Sequence, residues 1–246
     1  MRTTRIFTER PIAAGTSLDL EEAPARHLRT VLRLRVGDEL LLFDGSGSEF
    51  GARLGAITRN RVTAAVGERV REEPQPPLHI TLVQAVAKGE HMEYALQKAV
   101  ELGISRFAPV LTEYGVVRLT GERLENRRQH WRRIAIGACE QCGRAHIPEI
   151  LPPRPLQEWL DESRTEPASR LTLDPTATRG LKDVAAPSGA VHCLIGPEGG
   201  LTAAEVNLAR ELDYLPIRFG PRILRTETAA AAVITAVQVL WGDLAS

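Results

Sequence analysis

Along the first seventy residues, short apolar runs alternate with turns that contain glycine. The runs have the length of β-strands, and glycine-bearing turns at residues 36–38 and 44–47 separate them. Residues 24–32 interrupt this pattern and predict one short helix. Such a chain is typical of a small mixed β-barrel, so we assign residues 1–72 to a β-rich first domain. The charged, proline-rich stretch 68–77 predicts a linker.

From residue 78 onwards, apolar runs alternate with amphipathic segments. A nearly continuous apolar run over residues 78–86 predicts a strand that is buried on both faces. Residues 91–102 place their apolar side chains on one helical face and end at Gly103, a suitable helix C-cap. Further strands are predicted over residues 106–111, 170–173, 190–195 and 215–219, and further helices over 122–142, 202–212 and 226–241. This alternation indicates an α/β domain with a mostly parallel sheet, which we assign to residues 73–246.

The last predicted helix, residues 226–241, is apolar nearly all round. A helix of this kind has to be buried on more than one side. Either it is the central helix of the core, or part of it packs against another subunit.

Composition and charge exclude several classes of protein. The 246 residues contain 31 Lys and Arg and 31 Asp and Glu, and this balance excludes a protein that coats nucleic acid nonspecifically. Only 11 residues are aromatic, too few for single-strand binding mainly by base stacking. Residues 105–149 nevertheless hold eight Arg against five Glu, either as a solvated helix face or as a face for RNA phosphates. Three Cys and the lack of a long apolar segment predict a soluble, cytoplasmic protein without membrane partners.

Cys139 and Cys142 form a CxxC pair, and His146 follows four residues later. A structural zinc site needs a second pair of ligands, and a thioredoxin-type site needs a strand before the pair. The sequence provides neither, so we predict no metal.

Two glycine-bearing loops each join a predicted strand to a predicted helix, at residues 195–201 (IGPEGGL) and 219–228 (FGPRILRTET). Ligands of open α/β sheets bind beyond the carboxyl ends of the strands, where helix N-termini offer free N–H groups. Neither loop is a Walker A or a GxGxxG motif, so an adenine or ribose suits them better than a string of phosphates. One such loop alone is as readily a structural turn, but two together predict a pocket.

Charged residues stand within and beside these loops. Glu198 and Glu227 each precede or begin a predicted helix, so their plain role would be local capping. Arg222 and Arg225 lie within six residues of Glu227 in the second loop. Charges in a cleft are costly unless they are paired, so this group is a candidate functional cluster.

Together these residues resemble the RsmE family, the small-subunit ribosomal RNA uridine N3-methyltransferases of the SPOUT class. The matching blocks extend over nearly the whole chain, and residues 196–200 with 222–229 are the most specific. The other blocks lie at residues 5–7, 27–38, 88, 97–103 and 140–144. The chain departs from the family pattern at Tyr114-Gly115, where an Arg-Ser pair is usual, and at Arg26, where a second His is often found.

The resemblance implies an α/β fold: a SPOUT-type, trefoil-knotted α/β domain preceded by a small PUA-like β-barrel domain that helps to hold RNA. It implies that S-adenosylmethionine (SAM) binds in the knot, held largely by backbone groups of three loops, and that the protein is a homodimer. The residues implied for SAM are Leu173, Ile195, Gly196, Glu198, Gly199, Gly200, Phe219, Gly220, Pro221, Ile223, Leu224 and Thr226. Those implied for RNA are Arg5, His27, Arg33, Lys88, Arg133, Arg144 and Arg222.

Methylation at uridine N3 requires removal of a proton and stabilisation of the charge that develops on the base. We assign charge stabilisation and base positioning to Arg225, with Arg222 or Arg144 as its partner. Glu227 or Glu198 would accept the proton or orient an arginine. The predicted target is one uridine of 16S rRNA in the assembled 30S subunit. The alternatives are a SPOUT methyltransferase for another RNA position or atom, and a non-catalytic RNA-binding ribosome assembly factor.

Overall fold

The computed structural model describes residues 3–115 and 121–245, and the chain forms two compact units. Unit 1 comprises Met1–Gln75 and Ile136–Ile147, and unit 2 comprises Pro76–Ala135 and Pro148–Ser246. Unit 1 therefore includes a segment that lies far along the chain. The predicted linker over residues 68–77 is wrong in its first half, because a strand continues to Glu72.

Unit 1 is built on a five-stranded sheet. Its strands are β1 (Thr4–Phe7), β2 (Ser17–Asp19), β3 (Glu39–Phe43), β4 (Ser48–Ile57) and β5 (Val62–Glu72). They are ordered β1-β3-β4-β5-β2, with β1 parallel to β3 and the other pairs antiparallel. The predicted helix over residues 24–32 is present as α1 (Glu22–Arg26), which continues as a π-helical turn over His27–Val31. Leu28 of that turn packs into the apolar core of the sheet.

Arg5 forms a buried ion pair within the sheet and also holds the late segment of unit 1 to that sheet. Arg5 Nε donates to Glu49 Oε1 at 2.6 Å, and only 7% and 3% of the two side chains are exposed. The same guanidinium donates to the carbonyl oxygen of Arg144 at 2.9 Å. In return, the Glu140 carboxylate accepts the Phe7 N–H at 3.0 Å. These bonds hold Ile136–Ile147 in unit 1 although unit 2 supplies the residues on either side of it.

Unit 2 is built on a parallel sheet of seven strands. They are β6 (His79–Ala85), β7 (Arg106–Leu111), β8 (Glu149–Ile150), β9 (Arg154–Pro155), β10 (Ser169–Leu173), β11 (Ala190–Ile195) and β12 (Leu215–Ile217). The order is β12-β10-β11-β6-β7-β8, and β9 also pairs with β7. Strand β6 is central, and every residue after His79 in it is buried. Its continuous apolar run is therefore explained by burial on both faces.

Five helices follow β6 along the chain: α2 (Gly89–Glu101), α3 (Glu122–Cys142), α4 (Leu156–Ser163), α5 (Ala203–Glu211) and α6 (Thr226–Trp241). All were predicted except α4. Residues 136–142 at the end of α3 belong to unit 1. Helix α5 begins with the expected capping box, in which Glu205 N–H donates to Thr202 Oγ1 at 3.2 Å and Thr202 N–H donates to Glu205 at 2.8 Å. Gly103 follows α2 with φ +91°, the left-handed conformation that ends many helices.

Helix α6 has one buried face and one exposed face. The buried residues are Thr226, Ala229, Ala230, Val233, Ile234, Val237 and Gln238. On the other side Val239 and Leu240 are 47% and 52% exposed. Of the two alternatives for this helix, burial by the core on every side does not hold for the single chain, because its second apolar face has no cover within the described residues.

Within residues 3–115 and 121–245, no helix combines the length and the hydropathy needed to cross a membrane.

Candidate active site

The two glycine-bearing loops lie at the carboxyl edge of the parallel sheet of unit 2. Strand β11 ends at Ile195 and leads into residues 196–201, and β12 ends at Ile217 and leads into residues 218–225. Strand β10, which ends at Leu173, lies between them in the sheet. Because the carboxyl ends of parallel strands meet at one edge, the three loops that follow these strands lie side by side, where ligands of open α/β sheets bind.

Thr226, the first residue of α6, ties the β11 loop to the centre of the sheet. Its hydroxyl donates to the Gly196 carbonyl oxygen at 2.7 Å and accepts from Gln84 Nε2 at 2.9 Å. Gln84 is fully buried in β6. Arg218 N–H donates to the Arg179 carbonyl oxygen at 2.7 Å and so joins the β12 loop to the segment after β10. The loops are thus fixed to each other and to the sheet by hydrogen bonds.

Glycine is required at two points of these loops. A Cβ at Gly196 would lie 3.0 Å from backbone atoms of Gly200 and Leu201, closer than nine in ten real Cβ contacts. Gly220 has φ +76°, which residues with a Cβ rarely adopt. At Gly196 the glycine lets the β11 loop fold back closely on itself, and at Gly220 it lets the β12 loop turn.

The loops also offer apolar surface next to these backbone groups. Ile223 is 85% exposed, while Phe219 and Leu224 are half-buried. No atom lies within 4 Å of the position that a Cβ would take at Gly200 or Gly220. Apolar surface with a few backbone polar groups is the lining that a nucleoside needs. The residues therefore fit the adenosine part of SAM, and the two loops contain no lysine for a string of phosphates.

The structure places most of the predicted cofactor residues together. Gly196, Glu198, Gly199 and Gly200 lie in the β11 loop, and the β12 loop contains Phe219, Gly220, Pro221, Ile223 and Leu224. Leu173 and Ile195 are the last residues of β10 and β11, and Thr226 is the first residue of α6. All of them belong to unit 2 and to the same edge of its sheet.

The two candidate catalytic carboxylates contact the segment that leads into α2. Glu198 Oε1 accepts the Lys88 N–H at 3.0 Å, and Glu198 is exposed. Glu227 Oε1 lies 3.1 Å from His91 Nδ1, and only 13% of the Glu227 side chain is exposed. Its other oxygen, Oε2, is buried and has no hydrogen-bond partner among the described residues. The sequence did not single out His91, because a polar residue in the first turn of a helix looks like ordinary surface.

The predicted RNA contacts differ in exposure. The exposed ones are His27, Arg33, Lys88, Arg133 and Arg222. Arg225, predicted to act on the base, is also exposed, directly before α6. These side chains are free to meet a large polyanionic partner.

Arg5 and Arg144 are largely buried in unit 1. Arg5 is committed to Glu49, as described above, and only 13% of the Arg144 side chain is exposed, with Nε 4.0 Å from Glu73. Both guanidinium groups thus have partners within unit 1. The RNA contacts predicted for Arg5 and Arg144, and the role of Arg144 beside Arg225, stay predictions.

The CxxC pair has a structural environment. Burial raises the pKa of the Cys139 thiol to about 12, so the thiolate that metal binding and redox exchange require is not formed near neutral pH. Cys139 Sγ donates to the His146 carbonyl oxygen at 3.7 Å. Over the described ranges, no group of three or more His, Cys, Asp or Glu side chains is arranged to hold a metal ion.

A second polar cluster lies at the amino ends of β7 and β11, away from the loops. Arg106 forms an ion pair with Glu166, and His192 Nε2 lies 3.2 Å from both the Arg106 guanidinium and the Glu166 carboxylate. Burial lowers the pKa of His192 to about 4, although the neighbouring carboxylate opposes this shift. His192 is therefore neutral at physiological pH and acts as a buried hydrogen-bonding residue.

Comparison with known protein families gives the class of this protein. Residues 74–238 match the family model described as an RNA methyltransferase domain, and residues 20–67 match the RNA methyltransferase PUA domain. The predicted fold class, an α/β domain preceded by a PUA-like domain, is thereby confirmed. The trefoil knot and the division at residue 72 stay predictions.

Relatives of known name match nearly the whole chain. The ribosomal RNA small subunit methyltransferase E of Buchnera aphidicola (subsp. Schizaphis graminum) is 31% identical over 99% of this chain and 98% of its own length. The one from Neisseria gonorrhoeae, solved with bound S-adenosyl methionine, is 37% identical with a TM-score of 0.91, covering 99% of this chain and 100% of that chain. A Legionella pneumophila structure with bound SAM is 35% identical with a TM-score of 0.94, at the same coverage. The chain belongs to the ribosomal RNA small subunit methyltransferase E (RsmE) family, as its motifs indicated.

Proposed function

We propose that this protein uses SAM to methylate N3 of one uridine in small-subunit ribosomal RNA. The observation that carries the proposal is the pair of loops fixed by the Gln84–Thr226–Gly196 hydrogen bonds at the carboxyl edge of the sheet. Support also comes from relatives of the same length that are named small subunit ribosomal RNA methyltransferases or were solved with bound SAM.

The residues that would hold SAM are Leu173, residues 195–200, residues 219–224 and Thr226. SAM, when bound, supplies an electrophilic methyl group on a sulfonium sulfur. The protein's contribution is to bind and orient, since the space beside Gly200 and Gly220 is open to a ligand and Ile223 and Leu224 offer apolar surface. Alignment of the acceptor nitrogen with the methyl carbon and sulfur then lowers the barrier through orientation.

Arg225 is the proposed residue for base positioning and charge stabilisation. When N3 of uridine loses its proton, negative charge spreads to the base oxygens, and a guanidinium can donate two parallel hydrogen bonds to such acceptors. Arg225 is exposed at the start of α6, next to the loops. Arg222, exposed in the β12 loop, is the proposed partner for a neighbouring phosphate or base oxygen.

The two carboxylates differ in their suitability for proton transfer. Glu198 is exposed and uses one oxygen, Oε1, to accept the Lys88 N–H, which leaves its other oxygen accessible. Glu227 is covered and contacts His91. We therefore assign proton acceptance to Glu198 and positioning to Glu227, which holds the first turn of α6 against α2.

A second copy of the chain is the proposed cover for the outer face of α6. Val239 and Leu240 are about half exposed there, whereas the opposite face is buried. A homodimer would remove this apolar surface from water. Sedimentation or light scattering measures the mass of the protein in solution, which we expect to be twice the 27.0 kDa chain mass. Val239→Glu should shift this mass toward that of one chain.

The target uridine has to be unpaired, because N3 lies on the Watson–Crick edge. A chain with no net charge and a few exposed arginines is suited to recognise one folded site by its shape. We propose the assembled 30S subunit as the substrate, which places the reaction in the cytoplasm.

The test uses purified protein, SAM and 30S subunits from a strain that lacks the corresponding methyltransferase. Digestion of the rRNA and mass spectrometry should identify 3-methyluridine at one position, and Arg225→Ala should lower the rate by roughly 100-fold or more while SAM affinity is retained. A 2′-O-methylated nucleoside would establish the alternative methyltransferase. Lack of both methylation and SAM binding would leave the non-catalytic assembly factor.

A further inference from the structure

An exposed tyrosine lies against the β11 loop. Tyr114 is in the turn after β7, and 52% of it is exposed. Strand β7 is separated from β11 only by β6, so this turn is at the same carboxyl edge as the loops. A Cβ built at Gly199 would lie 3.1 Å from Tyr114 Cβ and 3.6 Å from Cγ. The tyrosine therefore packs directly on a residue of the loop assigned to SAM.

The turn that carries Tyr114 is fixed by hydrogen bonds. Glu113 N–H donates to Glu205 Oε1 at 2.9 Å, and the other oxygen of Glu205 accepts the Thr202 N–H at 2.8 Å. Gly115 N–H donates to the Thr112 carbonyl oxygen at 3.1 Å and closes the turn. Since Glu205 also caps α5, which follows the β11 loop, the turn and the loop are anchored to the same helix terminus.

Tyr114 differs in this respect from the other exposed tyrosine among the described residues. Tyr94 lies on the surface of α2, where Lys98 Nζ stands 5.7 Å from the centre of its ring. Tyr114 instead lies in a turn that is held beside the β11 loop, and about half of its surface is exposed. An exposed, positioned aromatic ring at the edge of a nucleotide-binding site is a surface on which a base stacks.

We propose that the ring of Tyr114 stacks on the target uridine, or on the base next to it, when the RNA enters the site. This inference rests on the proposed function. A base that leaves its own stack loses the contact of its two faces, and an aromatic side chain restores one of them. Gly199 is part of the arrangement, because a side chain there would displace the tyrosine.

Steady-state kinetics with 30S subunits test this role, together with calorimetry for SAM. Stacking on one aromatic ring is worth about 1–3 kcal/mol per base, so Tyr114→Ala should raise KM for the 30S subunit by roughly 5- to 150-fold. Tyr114→Leu should fail in the same way, because it keeps apolar bulk but no ring. Tyr114→Phe should behave like the wild type, and the affinity for SAM should be unchanged in all three variants.

Tyr94→Ala is the matched control and should leave KM unchanged. If Tyr114→Ala or Tyr114→Leu weakens SAM binding but not KM for the 30S subunit, the tyrosine shapes the cofactor loop and the inference is wrong. It is equally wrong if Tyr114→Leu equals the wild type. If the Ala variant does not fold, the KM values of Tyr114→Leu and Tyr114→Phe still show whether an aromatic ring is needed. A wild-type protein without any activity would instead contradict the proposed function itself.

Discussion

Replacement of Thr226 by valine tests whether hydrogen bonds at the start of α6 hold the β11 loop in its conformation. Valine has the size and branching of threonine but no hydroxyl group. In the structure the Thr226 hydroxyl donates to Gly196 at 2.7 Å and accepts from Gln84 at 2.9 Å. Only 4% of Thr226 is exposed, so water cannot replace the missing group easily.

The expected loss of stability follows from the partners that remain. Gln84 Nε2 still donates to the Ala85 carbonyl oxygen at 3.1 Å, so it keeps one acceptor. The Gly196 carbonyl oxygen loses the Thr226 donor, and a buried group that loses its partner costs about 1–3 kcal/mol. For a chain of this size 1 kcal/mol corresponds to about 2–4 °C in Tm, so Tm should fall by roughly 2–12 °C. The part released is the loop that we propose to bind SAM, so the Kd for SAM should rise by about 5-fold or more.

Calorimetric melting and SAM titration of Thr226→Val, Thr226→Ser and the wild type measure both effects. Thr226→Ser keeps the hydroxyl and should retain the two hydrogen bonds, so its Tm and SAM affinity should stay near those of the wild type. Equal values for the Val variant and the wild type in both assays would refute the idea that this hydroxyl fixes the loop. A loss in the Ser variant as large as in the Val variant would show that a hydroxyl at this position is not sufficient to hold the loop.

Three further predictions concern stability. Arg5→Met should lower the free energy of unfolding by about 1–3 kcal/mol, because the buried Glu49 then keeps only the half-exposed Arg71, 3.4 Å from its other oxygen. Arg53→Met, which breaks an exposed pair with Glu39, should cost less than about 1 kcal/mol in the same denaturant titration. Gly103→Ala should lower the free energy of unfolding by about 1–3 kcal/mol, since φ is +91° and the new Cβ would lie 2.5 Å from Gln238 Nε2. Gly137→Ala, at an exposed position of α3, should raise the free energy of unfolding by about 0.5–1 kcal/mol. A loss of stability in both variants would contradict the steric argument. The pKa of His192 is lowered from 6.5 to about 4 by burial, so the unfolded chain binds more protons between these values and stability should fall as the pH drops from 6.5 towards 4. Urea titrations at pH 7 and pH 5 should show a smaller drop for His192→Gln than for the wild type, and an equal drop would assign the acid sensitivity to other groups.

The sheet of unit 2 was largely predictable because its strands are determined locally. Strands β6, β7 and β11 are apolar runs bounded by turns, and this local pattern is enough to predict a strand that is buried on both faces. Strands β8 and β9 have two residues each, too few to form a pattern. Helix α4 did leave a signal, since its buried residues are spaced at i, i+3, i+4 and i+7, but eight residues after a proline-rich stretch were too short to stand out. The buried residues of α4 are Leu156, Trp159, Leu160 and Ser163.

The loops of the site were predictable for a similar reason, because glycine-bearing strand-to-helix turns can be read directly. The pairing of side chains could not be read. Arg5 looks like a surface cation in the sequence, and only its contact with Glu49, 44 residues away, explains why it is buried. The contact of Glu227 with His91 likewise depends on helices α2 and α6 being neighbours, which no local pattern indicates.

Because unit 1 includes the late segment Ile136–Ile147, it can neither fold completely during early synthesis nor be isolated as a single N-terminal fragment. More than sixty residues of unit 2 and of this segment have to be synthesised after Gln75 before the hydrogen-bond acceptors of Arg5 and Phe7 exist. A fragment cut after Gln75 would leave the Arg5–Glu49 pair uncovered on that side. Unit 1 is therefore not a module with a single junction, and an exchange of this unit between relatives has to move two pieces of chain at once.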